Sequence, residues 1–159
     1  MKKSLSHLDK NNKIAMVDVS EKDITSRIAI ASAEVHFPKE VWDLLEKRKW
    51  ISHKGSILEV ARIAGIQAAK QTANLIPLCH VLPLSWIDIQ LALDNQKVLI
   101  HSQVKTDSKT GVEMEALTAA SVSALTLYDM CKALSHDIVL SNVKLISKSG
   151  GKSDHHEVE

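Results

Sequence analysis

Apolar residues recur along this chain with two different periods, and the switch between them divides it into elements. From Thr25 to Phe37, Ala29, Ala31, Ala33, Val35 and Phe37 take alternate positions with Arg27, Ser32 and Glu34 among them. This is a strand pattern, weakened by the low strand propensity of alanine. Pro38 suits the first turn of a helix, and Val41, Trp42, Leu44 and Leu45 give residues 39–49 one apolar side. After the break at His53-Lys54-Gly55-Ser56, apolar Ile57, Val60, Ala61, Ala64 and Ala68 recur at three and four and predict a longer helix over 56–75. Pro77 and Pro83 bracket Leu78, Cys79 and His80 in an ordered, non-helical turn. Ile87, Ile89, Leu91 and Leu93 alternate, Asp94-Asn95-Gln96 turns, and Val98, Ile100, Ser102 and Val104 alternate back as a hairpin. Ile138, Leu140, Val143 and Leu145 fit a last strand, which Ser149-Gly150-Gly151 breaks.

The stretch from Thr110 to Lys132 has no clear solvated face on a helical wheel and is expected to be a largely buried helix. It nevertheless carries Glu113, Glu115, Asp129 and Lys132. Glu115, Thr118, Val122, Leu125, Asp129 and Lys132 fall on one broad face. Asp129 and Lys132 at i,i+3 read either as exposed helix decoration or as an acid and a base in a partly dry site that tune each other.

The order strand, helices, strand, strand, helix, strand predicts an α+β fold: a ferredoxin-like split βαβ with an antiparallel sheet and helices packed on one face. That scaffold hosts enzymes, regulatory domains and RNA-binding modules, so it does not select a function. Residues 1–13 are polar and basic and are expected to form a flexible arm; 14–152 read as one domain, and 153–159 as a polar, mobile tail. At 159 residues the chain can bury a real core without staples.

Twenty basic residues against nineteen acidic ones argue against binding nucleic acid mainly through broad electrostatics, although a local cluster could still hold a small polyphosphate. Five aromatics, with Trp86 alone on the hairpin strands, are too few for an RNA-reading sheet. The two cysteines, Cys79 and Cys131, and the lack of a signal-peptide pattern or a spanning apolar run suggest free thiols in a reducing cytoplasm. Those cysteines and His80 lack the paired close spacings of a zinc site, so no metal ligands are assigned.

Further candidate chemistry lies in four places. Gly55 lets the backbone approach a ligand at a helix start, with Lys54 adding charge, a plausible anion site or an ordinary loop. His80, in the proline-bracketed turn, is a polar ligand contact or a satisfied structural histidine; Cys79 beside it points elsewhere and is poorly placed as a nucleophile. Lys148-Ser149-Gly150-Gly151-Lys152 could fold over phosphates, without being a P-loop, or fray. Arg62 and Lys70 share a helix side where solvated charge is the default. Together these residues describe a lysine-rich site with two or three carboxylates and a histidine, suited to acid–base chemistry on an anionic substrate.

Four stretches carry a resemblance: Ala61 to Lys70 (ARIAGIQAAK), Leu75 to His80 (LIPLCH), Thr110 to Ala133, and Lys148 to Lys152 (KSGGK). In this order they resemble the cyclic pyranopterin monophosphate synthase family of molybdenum cofactor biosynthesis, over nearly the whole chain from Met16 to Lys152. The resemblance implies that 3′,8-cyclo-7,8-dihydroguanosine 5′-triphosphate is rearranged to cyclic pyranopterin monophosphate with loss of pyrophosphate. It implies Asp129, Lys132 and Lys54 as catalytic residues, and Leu78, Cys79, His80, Glu113, Met114, Glu115 and Lys148 as substrate contacts. The resemblance also suggests Arg27, Arg62 and Lys70 as phosphate or structural partners. It further implies a homohexamer built as a trimer of dimers, with the site at a subunit interface where Lys54 and Asp129 meet across chains. The sequence itself calls for no cofactor, and Mg2+ accompanying the triphosphate stays open. Two positions depart from the family pattern: Val81 stands where proline is expected and Ser56 where aspartate is common, although serine can still cap a helix. A non-catalytic RNA- or ligand-binding module, and an oligomer whose buried charges only fix assembly, are the competing classes.

Overall fold

A computed structural model describes residue 7 and residues 13–157. Its elements are β1 (Thr25–His36), α1 (Lys39–Lys47), β2 (Ile51–Ser52), β3 (Gly55–Ser56), α2 (Ile57–Lys70), α3 (Thr72–Leu75), β4 (Leu84–Asp94), β5 (Lys97–Ser108), α4 (Glu113–Cys131), β6 (Val139–Ser149) and β7 (His155–His156). The main sheet is antiparallel with strand order β4-β5-β1-β6-β7, and α2 and α4 pack on one of its faces. Apart from the added β7, this is the ferredoxin-like α+β arrangement, in which α2 carries the chain from β1 over β5 to β4. Most of the predicted arm, residues 1–6 and 8–12, lies outside the described residues. Among those that are described, no helix is long and apolar enough to cross a membrane.

The alanines of β1 have a packing reason. Ala29, Ala31, Ala33 and Val35 are fully or almost fully buried, as are Ala116, Ala119, Ala120 and Ala124 of α4. Small side chains on both elements let the helix axis approach the sheet closely, which offsets the weak strand propensity of alanine. The approach is close enough for the Ser102 hydroxyl of β5 to donate to the Ala116 carbonyl of α4 at 2.7 Å. The two helices crowd one another in the same way. A Cβ added at Gly65 of α2 would lie 2.2 Å from Ser123 Oγ and 3.0 Å from the Ala119 carbonyl oxygen, and the Ser123 hydroxyl donates across to the Ala61 carbonyl at 3.0 Å.

The helix expected over 56–75 is two helices. Gln71 leaves helical geometry (φ −103°, ψ 4°), and the buried Thr72 hydroxyl donates to the carbonyls of Ala68 and Ala69, satisfying the end of α2 from its side chain. The segment between the two prolines is non-helical as expected, with Val81 exposed. Within the 153–159 tail, His155 and His156 pair with Lys148 and Ser147, and Glu157 bonds Lys144 at 2.7 Å.

The chain between α1 and α2 contains an unexpected two-stranded ribbon, Ile51–Ser52 against Gly55–Ser56, with His53 and Lys54 at its tip. Gly55 takes φ +104°, which only glycine adopts without strain. Ser56 caps α2 by accepting from the Glu59 N–H at 3.3 Å, as the reading of that departure anticipated. Before the ribbon, Lys49 and Trp50 both have positive φ, a backbone cost of about 1–2 kcal/mol each. The turn brings Trp50 into edge contact with Phe37 and Trp42, with ring centroids 5.5 and 5.2 Å away. Such aromatic pairs contribute about 0.5–1.5 kcal/mol beyond their area, which with Trp50's burial offsets the strain.

Candidate active site

The N-terminal end of α4 opens into a cleft of about 340 Å³ whose lining includes Leu78, Cys79, His80, Glu113, Met114 and Glu115. Its polar groups differ in how they are held. The His80 imidazole meets the Val17 carbonyl at 2.9 Å. A carbonyl can only accept, so Nε2 is the donor in this bond. Glu113 is paired with Lys148 at 2.9 Å, each about two-thirds buried. Glu115 is only 4% exposed, and the hydrogen bond its carboxylate accepts comes from its own backbone N–H. Burial, reinforced by the charge of Glu113, pushes its pKa up to about 7. Burial, then the nearby Glu115 charge, raises the Cys79 thiol, so the sulfur is a thiol at neutral pH and not an activated nucleophile.

This cleft runs into a cationic cradle. Lys22, Arg27, Lys148, Gly151 and Lys152 line a smaller adjoining cleft of about 170 Å³ together with Glu113. Arg27 is fixed by donating to the carbonyls of Ser108 at 2.9 Å and Lys109 at 3.1 Å. Gly150, at φ +86°, has the Ser26 carbonyl oxygen 2.0 Å from where a Cβ would be, so only glycine lets this loop close against β1.

The C-terminal end of α4 lines a separate cleft of about 400 Å³ with Lys54, His53, Asp129, Lys132, Ile51 and Leu134. Lys132 donates to Asp129 at 2.6 Å, with side chains 53% and 64% exposed. The hydrogen bond from Lys132, then its charge, holds Asp129 below the usual carboxylate range, with Lys54 adding to the effect; Lys132 is raised in turn by Asp129. The pair is therefore fully ionised at neutral pH, with the ammonium just beyond the helix, where the dipole favours a cation. The 110–132 stretch is expected to be largely buried, with Asp129 and Lys132 either exposed decoration or a pair in a partly dry site; at this end Leu125 is 57% exposed and the pair is exposed too. The small residues that bury the middle of α4 lie toward α2 and the sheet, and the face bearing Leu125 and Asp129 looks away.

A family model for the MoaC family matches residues 16–151. The chain belongs to the MoaC family. It is 49% identical over its full length to a cyclic pyranopterin monophosphate synthase of Brevibacillus brevis, covering 99% of that protein. It is 48% identical to a protein of the same name from a Geobacillus species, over 98% of this chain and 92% of the relative. The molybdenum cofactor biosynthesis protein 1 of Drosophila melanogaster is 50% identical over 98% of this chain, which matches 27% of that longer protein.

Within this MoaC family fold, the residues predicted from sequence fall into two groups. Leu78, Cys79, His80, Glu113, Met114, Glu115 and Lys148 gather around the N-terminal end of α4. Lys54, Asp129 and Lys132 gather around its C-terminal end. At about 1.5 Å of rise per residue, Glu113 and Asp129 are about 24 Å apart along the axis. Lys54 and Asp129, expected to meet across chains, already lie beside one another within one chain, where the ribbon carries Lys54 to the C-terminal end of α4. Arg62 is engaged by Glu59 at 2.7 Å on the outer side of α2. Sequence reasoning missed Lys22, which lines the Glu115 cleft, the cradle and a further outer cleft of about 560 Å³. The segment before β1 has no hydrophobic period to mark it, and its placement comes from contacts distant in sequence.

Proposed function

We propose that this chain converts 3′,8-cyclo-7,8-dihydroguanosine 5′-triphosphate to cyclic pyranopterin monophosphate and pyrophosphate, in a site that two copies of the chain build together. Membership of the MoaC family and the names of its relatives support the reaction. The observation that carries the reading is that the Glu115 cleft shares Lys22, Thr110, Gly111 and Glu113 with the wall of the cradle that holds Arg27, Lys148 and Lys152. The cleft suits the base end of the substrate, presenting a carboxylate, an imidazole and the thioether of Met114. The cradle suits the triphosphate.

Forming the cyclic monophosphate requires a ribose hydroxyl oxygen to bond to the α-phosphorus while the bond to the departing pyrophosphate breaks. The hydroxyl proton goes to a base, and negative charge accumulates on the leaving group. Fixed cations that meet this charge contribute most when water is excluded. Rearranging the rings needs further protons moved by groups in reach of both ring systems. The ionised Asp129–Lys132 pair sets Lys132 up as an ammonium that can donate, while Lys54, close to Asp129, is the second candidate for proton transfer.

A nucleotide cannot reach from Glu115 to Asp129 along a rigid helix, which supports a site completed by a second chain. Exposed Ile51, Leu134 and Leu125 beside the charged pair suit an interface. A two-fold contact that sets the C-terminal end of one α4 against the N-terminal cleft of another makes two equivalent sites per dimer, and three such dimers give the hexamer.

The test has two stages. Purified protein is incubated with the cyclic nucleotide and assayed for cyclic pyranopterin monophosphate and pyrophosphate; absence of both refutes the reaction. Glu115→Gln and Asp129→Asn subunits, each inactive alone, are then mixed by co-expression. A site shared between chains regains about one quarter of wild-type activity, since about one site in four draws both halves from unmutated ends. A site within one chain regains none.

A further inference from the structure

Residues 13–24 form neither helix nor sheet beyond an isolated bridge, yet they are tied down at two points. The His80 ring donates to the Val17 carbonyl, and the Lys109 ammonium donates to the Ser20 carbonyl. Between these anchors Asp18 closes a tight turn, accepting from the Ser20 N–H at 2.9 Å and the Ser20 hydroxyl at 2.6 Å. The Lys22 N–H then returns to the Val19 carbonyl at 3.1 Å. The result is a strap laid along the edge of the clefts; it also lines the outer cleft with Asp18, Glu21 and Asp23, but Lys22 is its one side chain common to the lining of all three. Lys109 lies just past the end of β5 and does not line any of these clefts. Its ammonium is used on the strap, where its charge also reaches the Asp18 carboxylate.

We propose that Lys109 is a positioning residue: it pins the Val17–Lys22 strap at Ser20 and so fixes where the Lys22 ammonium meets the triphosphate. The inference rests on the reading of the cradle as the triphosphate site. The geometry explains why a cation is needed at residue 109. The Ser20 carbonyl accepts from it and the Asp18 carboxylate lies close enough to feel its charge; a neutral side chain would hand that carbonyl to solvent and untie the strap at Ser20. It also explains the division of labour, since an ammonium spent on a backbone carbonyl steadies the loop while the neighbouring lysine stays available to the ligand.

Wild type, Lys109→Met, Lys109→Arg, Lys22→Ala and the Lys109→Met/Lys22→Ala double variant are compared for kcat, KM and affinity for inorganic tripolyphosphate. Amide hydrogen exchange over residues 17–23 is measured without ligand. Methionine keeps the aliphatic stem, so the fold is retained. Lys109→Met is expected to raise KM and weaken tripolyphosphate binding about fivefold with kcat little changed, and to speed exchange in the strap. Lys109→Arg, which can still donate to Ser20, restores all three. The double variant binds no worse than Lys22→Ala alone, because the effect of Lys109 passes through Lys22. Additive losses in the double variant would show that Lys109 meets the phosphates directly and would overturn the proposal. Wild-type exchange and binding in Lys109→Met would overturn it as well. Failure of the triphosphate reading gives a different result: wild type itself binds no tripolyphosphate and turns over no cyclic nucleotide.

Discussion

Replacing Glu115 by glutamine keeps the size and most of the shape of the side chain and removes its ability to ionise, so the change isolates the cost of burying that carboxylate. Burial moves the carboxyl from 4.5 to about 7. Between those two values the folded chain holds a proton that the unfolded chain has released. Stability therefore falls as pH rises through that window and levels off above about 7. At about 1.4 kcal/mol per pH unit, the full difference is about 3 kcal/mol, reached near pH 8; at pH 5 it is under about 1 kcal/mol. Glutamine cannot ionise and escapes the penalty. Urea unfolding followed by circular dichroism at pH 5 and pH 8, at one fixed protein concentration, should give nearly coincident curves at pH 5. At pH 8 the Glu115→Gln protein should be the more stable by about 3 kcal/mol, although it has lost a group proposed to contact substrate. Parallel behaviour of the two proteins at both pH values would refute the reasoning, because it would mean that the folded carboxylate is solvated or partnered as well as an unfolded one.

The charged pair at the other end of α4 should behave in the opposite way. Asp129→Asn and Lys132→Ala change solvated side chains, so thermal midpoints should stay at the wild-type value while product formation falls by at least about a hundredfold; a large drop in midpoint would mean that the pair holds the subunit together. Gly65→Ala forces a methyl group against Ser123 Oγ and the Ala119 carbonyl and should cost about 1–3 kcal/mol in urea unfolding. Adding Ser123→Ala should recover part of that loss and not all of it, because the carbonyl remains; an unaltered midpoint in Gly65→Ala alone would contradict the close helix crossing.

Where a period ran for several residues, the sequence was legible. The alternation from Ala29 to Val35 and the paired alternations around Asn95 produced β1, β4 and β5, and the turn residues Asn95 and Gln96 do take the positive φ values of a tight hairpin. Elements set by non-local or side-chain contacts were not legible. The apolar spacing of α2 runs through Gln71 without a mark, and the stop comes from one threonine hydroxyl. Two-residue strands have no period, which hid both the Lys54 ribbon and the pairing of His155 and His156. In the candidate site, residue types and motifs identified the members, but their grouping needed coordinates in part. One signal was available in advance, since a helix from Glu113 to Cys131 is too long for both its ends to touch one nucleotide. The same length argument could not show that the Lys54 ribbon folds back to Asp129.

The aromatic cluster behind that ribbon has an optical consequence. The chain has three tryptophans. Trp42 and Trp50 are buried against each other and Phe37, at the base of the ribbon whose tip holds Lys54, while Trp86 is 42% exposed on the far face of the sheet with the Lys105 ammonium 4.6 Å from its ring centre. Burial should shift emission from the first two to shorter wavelength and shield it from aqueous quenchers, while exposure should leave the third emitting at longer wavelength and open to them. Quenching Trp86 with iodide leaves a signal that comes from the ribbon side of the molecule alone. The unmodified chain thus carries its own fluorescent reporter for movement at the Lys54 end, separated from the sheet by wavelength and by solvent access.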